Sequence, residues 1–237
     1  MSALYSDANL WNRHSIFKDR SEAGRALAEF LAPDYEGQAM TFVLAIPAGG
    51  VPVGIELCKQ LQLPFDCLIV RKLQIPGNTE AGFGAMASGG QVLLNQELVR
   101  RIGLSQNQID TQTKKVQEEL AIREDLFRRN RPFPNIEGME VILTDDGLAS
   151  GYTMLAAIRF VLAIGAKKVV VAVPTAPLRS IRQVEQEANA VYSLHVQESG
   201  AFAVANAYQH WYDLGREEVA GLLETFFQDF DTSNDQI

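Results

Sequence analysis

The chain has 237 residues, 47% of them hydrophobic and 21% charged, and 21 basic against 29 acidic side chains give a formal net charge of −8. That length fits one domain and buries roughly 70 to 75% of the unfolded surface. The acidic balance excludes a nucleic-acid surface dominated by phosphate contacts, and no apolar run reaches the roughly 18 residues of a membrane-spanning helix.

Residues 1–16 read as a poorly specified lead-in without an apolar signal core. A helix is expected over Ser21–Leu31, with Ser21 as N-cap and an apolar stripe of Ala23, Leu27, Phe30 and Leu31. Thr41–Ile46 reads as a buried strand, broken by Pro47-Ala48-Gly49-Gly50. Val53–Leu61 follows as a helix, with Pro52 tolerated in its first turn, and Phe65–Val70 as a second buried strand. Arg71–Gly90, rich in glycine, reads as a long irregular connection, of the kind that is functional or mobile inside a compact domain. Gln91–Leu94 is a weak strand.

Ser105–Arg129 carries the longest helical pattern. Ile109, Val116, Leu120 and Phe127 fall on one face, suited to packing or to a dimer contact. A strand is expected over Val141–Thr144, a helix over Thr153–Ile164 and a strand over Lys168–Val173. Pro174-Thr175-Ala176-Pro177 reads as a break before a helix at Leu178–Glu187. A strand at Ala190–His195, an aromatic-rich loop at Glu198–Tyr212 and a terminal helix at Glu217–Phe227 complete the pattern. Apolar, non-alternating strands separated by helices indicate an α/β fold, a Rossmann-like parallel sheet covered on both faces. Ligands of such sheets bind at the carboxyl ends of strands. Three loops leave strands there: Pro47–Gly50, Arg71 onwards, and Asp145–Thr153.

The third loop is the most informative. Val141-Ile142-Leu143-Thr144 ends in Asp145 and Asp146, and Gly147, Ser150, Gly151 and Thr153 precede an apolar helix. Backbone N–H groups at a helix start favour phosphate, and Ser150 and Thr153 add hydroxyl donors. Gly151 permits close backbone approach. Adjacent aspartates suit sugar hydroxyls or a hard cation such as Mg2+; their bland alternative is a helix-entry turn with two solvated carboxylates. Gly49-Gly50 allows a nest of N–H groups for an anion. Other motifs carry less. Cys58 and Cys67 have neither metal-ligand nor disulfide spacing and read as reduced, buried thiols of a cytoplasmic protein. His14, His195 and His210 show no ligand spacing. Ser88 lies outside any G-x-S-x-G elbow, and there is no P-loop.

Val141–Thr153 resembles the phosphoribosyl pyrophosphate (PRPP) motif of the type I phosphoribosyltransferases: an apolar strand, two acidic residues, and a small-residue loop ending in Gly and Thr. Ile46-Pro47-Ala48-Gly49-Gly50-Val51 resembles the pyrophosphate loop of that family, and Val70-Arg71-Lys72 the start of its flexible catalytic loop. A bacterial subgroup shares Phe17-Lys18-Asp19-Arg20, the run Arg71–Asn78, and Phe202-Ala203-Val204 before Tyr208.

The resemblance implies a single phosphoribosyltransferase domain over 17–228, with a helical insertion at about 96–131 and a small hood at about 196–214. It implies an Mg2+-dependent transfer of a 5-phosphoribosyl group from PRPP to a small-molecule acceptor, a nucleobase being one option, with release of pyrophosphate. Asp145 and Asp146 would hold the ribose hydroxyls directly or through Mg2+. Ala149, Ser150, Gly151, Tyr152 and Thr153 would cradle the 5-phosphate, and Pro47, Ala48, Gly49 and Gly50 the pyrophosphate. Lys72 first, and Arg71, would stabilise the leaving charge. Phe202, with Val204, is the hood candidate for stacking on the acceptor, although Phe202, Tyr208, Trp211 and Tyr212 read equally as core-closing aromatics.

Three departures stand out. Ala48 replaces a common Arg or Lys, Tyr152 replaces a small residue or lysine, and Ala149 occupies the place of the third carboxylate found in hypoxanthine–guanine relatives. The alternative reading is a non-catalytic PRPP- or nucleotide-binding regulator. A phospho-acceptor receiver domain, which carries its acidic pair after the first strand, fits poorly. A homodimer and no nucleic-acid or membrane partner are expected.

Overall fold

The computed structural model describes residues 3–87, 90, 92–129 and 131–234. A six-stranded, wholly parallel sheet runs in the order β1-β9-β8-β7-β2-β3. Its central strands are β2 (Thr41–Ala45), β7 (Glu140–Thr144), β8 (Lys168–Pro177) and β9 (Ala190–Gln197). Their near-continuous burial explains why their sequences lack alternation. Helices α1 (Arg20–Tyr35) and α2 (Gly50–Leu61) pack together on one face. On the other, α5 (Tyr152–Ala163) and α6 (Leu178–Val184) cover a second apolar core that includes Val141, Leu143, Val171, Ile158 and Val161.

Several elements depart from the pattern expected of the sequence. The lead-in forms an edge strand, β1 (Ala3–Tyr5), parallel to β9, with Tyr5 stacked on Tyr192. Three residues carry too little periodicity to be read alone; the partner strand supplies the order. Helix α1 starts at Arg20, capped by Asp19 rather than Ser21: the Asp19 carboxylate accepts from the Glu22 N–H at 2.9 Å. Strand β8 continues through Pro174 to Pro177 instead of breaking. Strand β7 stops at Thr144, opposite Ala172, so the β8 edge at Pro174 has no neighbour on that side and needs no N–H there.

The expected irregular connection is a small antiparallel sheet of β4 (Val70–Ile75), β5 (Asn78–Ala87) and β6 (Val92–Leu94). Glycines hid the strand signal, yet they serve close packing: a Cβ on Gly82 would stand 2.3 Å from Cγ of Lys72. Ser88 and Gln91 lie outside the described residues. Between β6 and β7 come α3 (Gln96–Ile102) and α4 (Gln106–Arg128), the latter opened by a Ser105–Gln108 capping box. Ile109, Val116, Leu120 and Phe127 are buried in the chain's own core. Of the two uses expected of this apolar stripe, packing or a dimer contact, the burial shows packing within the chain. A buried Asp66–Arg128 ion pair at 2.9 Å ties the end of α4 to β3 (Phe65–Cys67). The Arg128 guanidinium also donates to the carbonyls of Cys67 and Pro132. Helix α7 (Arg216–Asn234) packs against α4 and α2. Among the described residues, no helix is long and apolar enough to cross a membrane.

Candidate functional site

Strands β2 and β7 are neighbours, with Ala45 opposite Thr144. The chain leaves β2 towards β3 on one side of the sheet and β7 towards β8 on the other. Such a reversal opens a crevice at the carboxyl ends of the two strands. A cavity of about 360 Å3 lies there.

The floor of the cavity is the loop after β7. Asp145 and Asp146 line it, followed by residues 147–151 and Thr153. The loop is pinned from behind: the Leu148 N–H donates to the Thr175 carbonyl at 2.9 Å, and the Ser180 hydroxyl donates to the Ala149 carbonyl at 2.6 Å. Ala149 and Ser150 remain exposed. Gly151 is the N-cap of α5 with φ of 78°, a left-handed conformation. That φ by itself requires glycine, and an added Cβ would meet no protein atom nearer than 3.6 Å. The arrangement presents the start of α5, with its unpaired N–H groups, to the cavity.

For Gly49 and Gly50 the reason is the reverse of the expected one. Gly49 has φ of −62°, open to any residue. What demands glycine is space. A Cβ on Gly49 would stand 1.8 Å from Oδ2 of Asp146, and one on Gly50 would stand 2.8 Å from the Thr144 carbonyl. The two loops interlock, and the bare Cα of Gly49 makes room for the carboxylate. The Pro47–Ala48 peptide is cis.

Arg20, from the start of α1, completes the floor. Its Nε donates to Oδ2 of Asp146 at 2.8 Å, and its Nη1 to the Tyr212 carbonyl at 3.0 Å. Its guanidinium lies 4.0 Å over the Trp211 ring. The Tyr208 hydroxyl donates to the Asp146 carbonyl at 2.6 Å. The segment 204–212 is itself held to the N-terminal segment: Phe17 bridges to Tyr208, and the His210 N–H donates to the Lys18 carbonyl. Arg20 thus joins one carboxylate to the aromatic roof.

Removal from water raises the Asp145 carboxyl well above the ordinary range, and the Asp146 charge pushes the same way. Burial also raises Asp146, against the opposing pull of Arg20. One carboxylate is thus neutralised by a fixed cation while its neighbour is left needing a partner. Among the described residues no group of three or more His, Cys, Asp or Glu is placed to hold a metal ion. The two aspartates alone fit an Mg2+ ion that keeps most of its waters or takes its other ligands from a substrate.

The cavity gathers Asp145, Asp146, Ala149, Ser150, Gly151, Thr153, Ala48, Gly49 and Val204 from the residues singled out in the sequence. It does not take in Pro47, Gly50, Arg71, Lys72, Tyr152 or Phe202. Tyr152 turns outward and is 60% exposed. The roof is Val204, Trp211 and Leu214 rather than Phe202, and Val204 closes directly on Gly147. Arg20 lines the cavity too, although the sequence alone assigns it no role. Its signal was the run Phe17-Lys18-Asp19-Arg20, but its partner lies 126 positions away.

A parallel α/β sheet with an acidic pair and a helix start at its crevice has the chemistry to suit a ligand that carries hydroxyls and a phosphate. Residues 16–204 match the family model for the phosphoribosyl transferase domain, and the chain belongs to that family. It is 35% identical to the Thermus thermophilus protein TT1426, whose crystal structure aligns with a TM-score of 0.80 over 89% of this chain and 98% of that one. Two Mycobacterium tuberculosis proteins, whose names place them among the phosphoribosyl transferases without asserting an activity, are 38% identical over 215 residues. That alignment covers 91% of this chain and 48% of theirs, so the chain spans about half the length of those curated relatives.

Proposed function

We propose that this protein transfers a 5-phosphoribosyl group from PRPP to a small-molecule acceptor and releases pyrophosphate. The observation that carries this reading is the convergence of two loops on one cavity: the loop after β7, which holds both the acidic pair and the start of α5, and Ala48-Gly49. In this reading the 5-phosphate lies against the loop of Ala149–Thr153, where N–H groups and the Ser150 and Thr153 hydroxyls donate to it. Asp145 and Asp146 accept from the ribose 2- and 3-hydroxyls. Arg20 holds Asp146 in one orientation, so the sugar is fixed by a pre-positioned acceptor. The Trp211 and Val204 roof limits water, which otherwise competes as nucleophile. Mg2+, when bound with PRPP, supplies positive charge beside the pyrophosphate oxygens. Lys72, with its stem laid along Gly82 on the β4–β5 hairpin, reaches the leaving group when that hairpin closes over the site.

A non-catalytic PRPP-binding regulator is the second reading, and a specific observation favours it. Among the described residues the one cation lining the cavity is Arg20, which is committed to Asp146, while Ala48 supplies no charge where pyrophosphate would lie.

Both readings require PRPP to bind at the acidic pair. Calorimetric titration of PRPP with Mg2+ into the wild type and into Asp145→Asn/Asp146→Asn tests this. Unchanged affinity in the double variant rejects the site. Pyrophosphate release that depends on an added acceptor separates the enzyme from the regulator.

A further inference from the structure

Five arginines form ion pairs with carboxylates among the described residues: Arg20 with Asp146, Arg25 with Glu56, Arg128 with Asp66, Arg129 with Glu224 and Arg159 with Glu187. Arg71, Arg123 and Arg216 are among the arginines outside these pairs. None of them forms an ion pair with a carboxylate among the described residues, although acidic side chains outnumber basic ones by eight in the sequence.

The three come from elements that pack together, with β4 against α4 and α4 against α7. Arg71 is half-buried near the start of β4, and its Nε is enclosed with no hydrogen-bond partner. Arg123 interrupts the packing stripe of α4. It stands three positions after Leu120 and four before Phe127, both buried, and is itself only half-buried. A packing stripe normally takes an apolar residue there. Arg216 opens α7 and is exposed. Burial, and then the charges of Arg71 and Arg216, hold the Arg123 guanidinium below its ordinary value; Glu119 is the carboxylate that opposes them. Glu217 and Glu218 also lie in the first turn of α7, and Glu218 is taken by the Tyr212 hydroxyl. Two half-buried like charges with a third at the surface, and no paired counter-ion among the described residues, are unfavourable in the free protein and call for an anion.

None of the three arginines lines the cavity itself, but Arg216 is tied to its roof segment. Arg216 follows the cavity-lining Leu214 by two residues, a reach of at most about 7 Å along the chain. Strand β4 leaves the main sheet just beyond the end of β3, beside the loops that build the site.

We infer that Arg71, Arg123 and Arg216 form an anion site for the acceptor, so that the acceptor of this protein carries a carboxylate or phosphate group. This rests on the transferase reading, in which the donor occupies the floor and the roof faces the acceptor. It moves Arg71 from the leaving group to the acceptor. Guanidinium groups suit either anion through paired N–H donors.

The test is binding of matched aromatic probes to the whole protein by calorimetry: benzoate, phenyl phosphate and the neutral benzamide, each with and without PRPP and Mg2+. At least one anion is expected to bind about tenfold or more tightly than benzamide, and the better of the two identifies the group. Arg123→Met, which preserves the apolar stripe, and the surface change Arg216→Ala are each expected to weaken that anion about tenfold while leaving PRPP affinity within about twofold. Anion binding no tighter than benzamide, or binding that survives both changes, overturns the inference. Displacement of the anion by PRPP also overturns it, by putting the cluster in the donor's subsite. Absence of PRPP binding, with the anion still held by the three arginines, removes the donor reading and leaves the anion site standing.

Discussion

Replacing Arg20 by Met isolates the contact that joins the acidic pair to its roof. The Arg20 and Asp146 side chains are 8% and 13% exposed. Methionine keeps the packing stem and removes the charge, leaving the Asp146 carboxylate enclosed without its cation. Breaking a buried pair in this way costs about 3–5 kcal/mol. An upper bound follows from the alternative of protonating the orphaned acid. From an ordinary value of about 3.9 to pH 7 is about 3.1 units, or about 4 kcal/mol; at pH 5 it is about 1.5 kcal/mol. Beyond that limit the carboxyl takes up a proton. In the variant, the folded-state value of Asp146 rises further above the unfolded one. The folded state then holds more protons than the unfolded state above about pH 4, and stability falls as pH rises. Urea unfolding followed by far-ultraviolet circular dichroism at pH 5, 6 and 7 measures the loss. It should grow towards about 4 kcal/mol at pH 7 and shrink at pH 5. Asp146→Asn in the same background should recover most of it. A loss equal at pH 5 and 7, or one that Asp146→Asn fails to relieve, refutes the role given to this pair.

Gly49→Ala should displace the Asp146 carboxylate, destabilise the fold by about 1–3 kcal/mol as an overpacked contact, and weaken PRPP binding in calorimetry. Gly151→Ala should lose about 1–2 kcal/mol through its left-handed backbone alone, read by the same unfolding assay. His195 is buried, its Nδ1 2.7 Å from the Thr175 hydroxyl, and burial lowers its value to about 4. The unfolded state therefore binds the extra proton between about pH 4 and 6.5, and stability should rise with pH across that window by at most about 3 kcal/mol; His195→Gln should flatten the slope. Burial pushes the Cys58 thiol up to about 12 and raises Cys67 further. Neither should react with Ellman's reagent at pH 8 until the protein is unfolded in urea.

The strands of the main sheet were legible because burial on both faces writes a continuous apolar run into β2, β7 and β8. The helices α2, α4 and α5 were legible because their apolar positions recur at helical spacing. The loop Asp145–Thr153 could be read for the same kind of reason: its chemistry is local, with carboxylates, hydroxyls and a glycine adjacent in sequence. Elements that depend on a distant partner were not legible. Three-residue β1 exists because β9 offers it an edge, and β8 passes through two prolines because β7 ends early.

By itself, the sequence determined the parallel α/β sheet, the rim that carries the site, and most of the residues on the cavity floor. Tertiary structure decided which neighbours those residues have. It set Arg20 against Asp146 and Trp211, gave Gly49 a reason in space rather than in backbone freedom, turned Tyr152 outward, and drew together from β4, α4 and α7 three arginines that form no ion pair among the described residues. Charge and space are properties of pairs, and these pairs are formed by residues far apart in the chain.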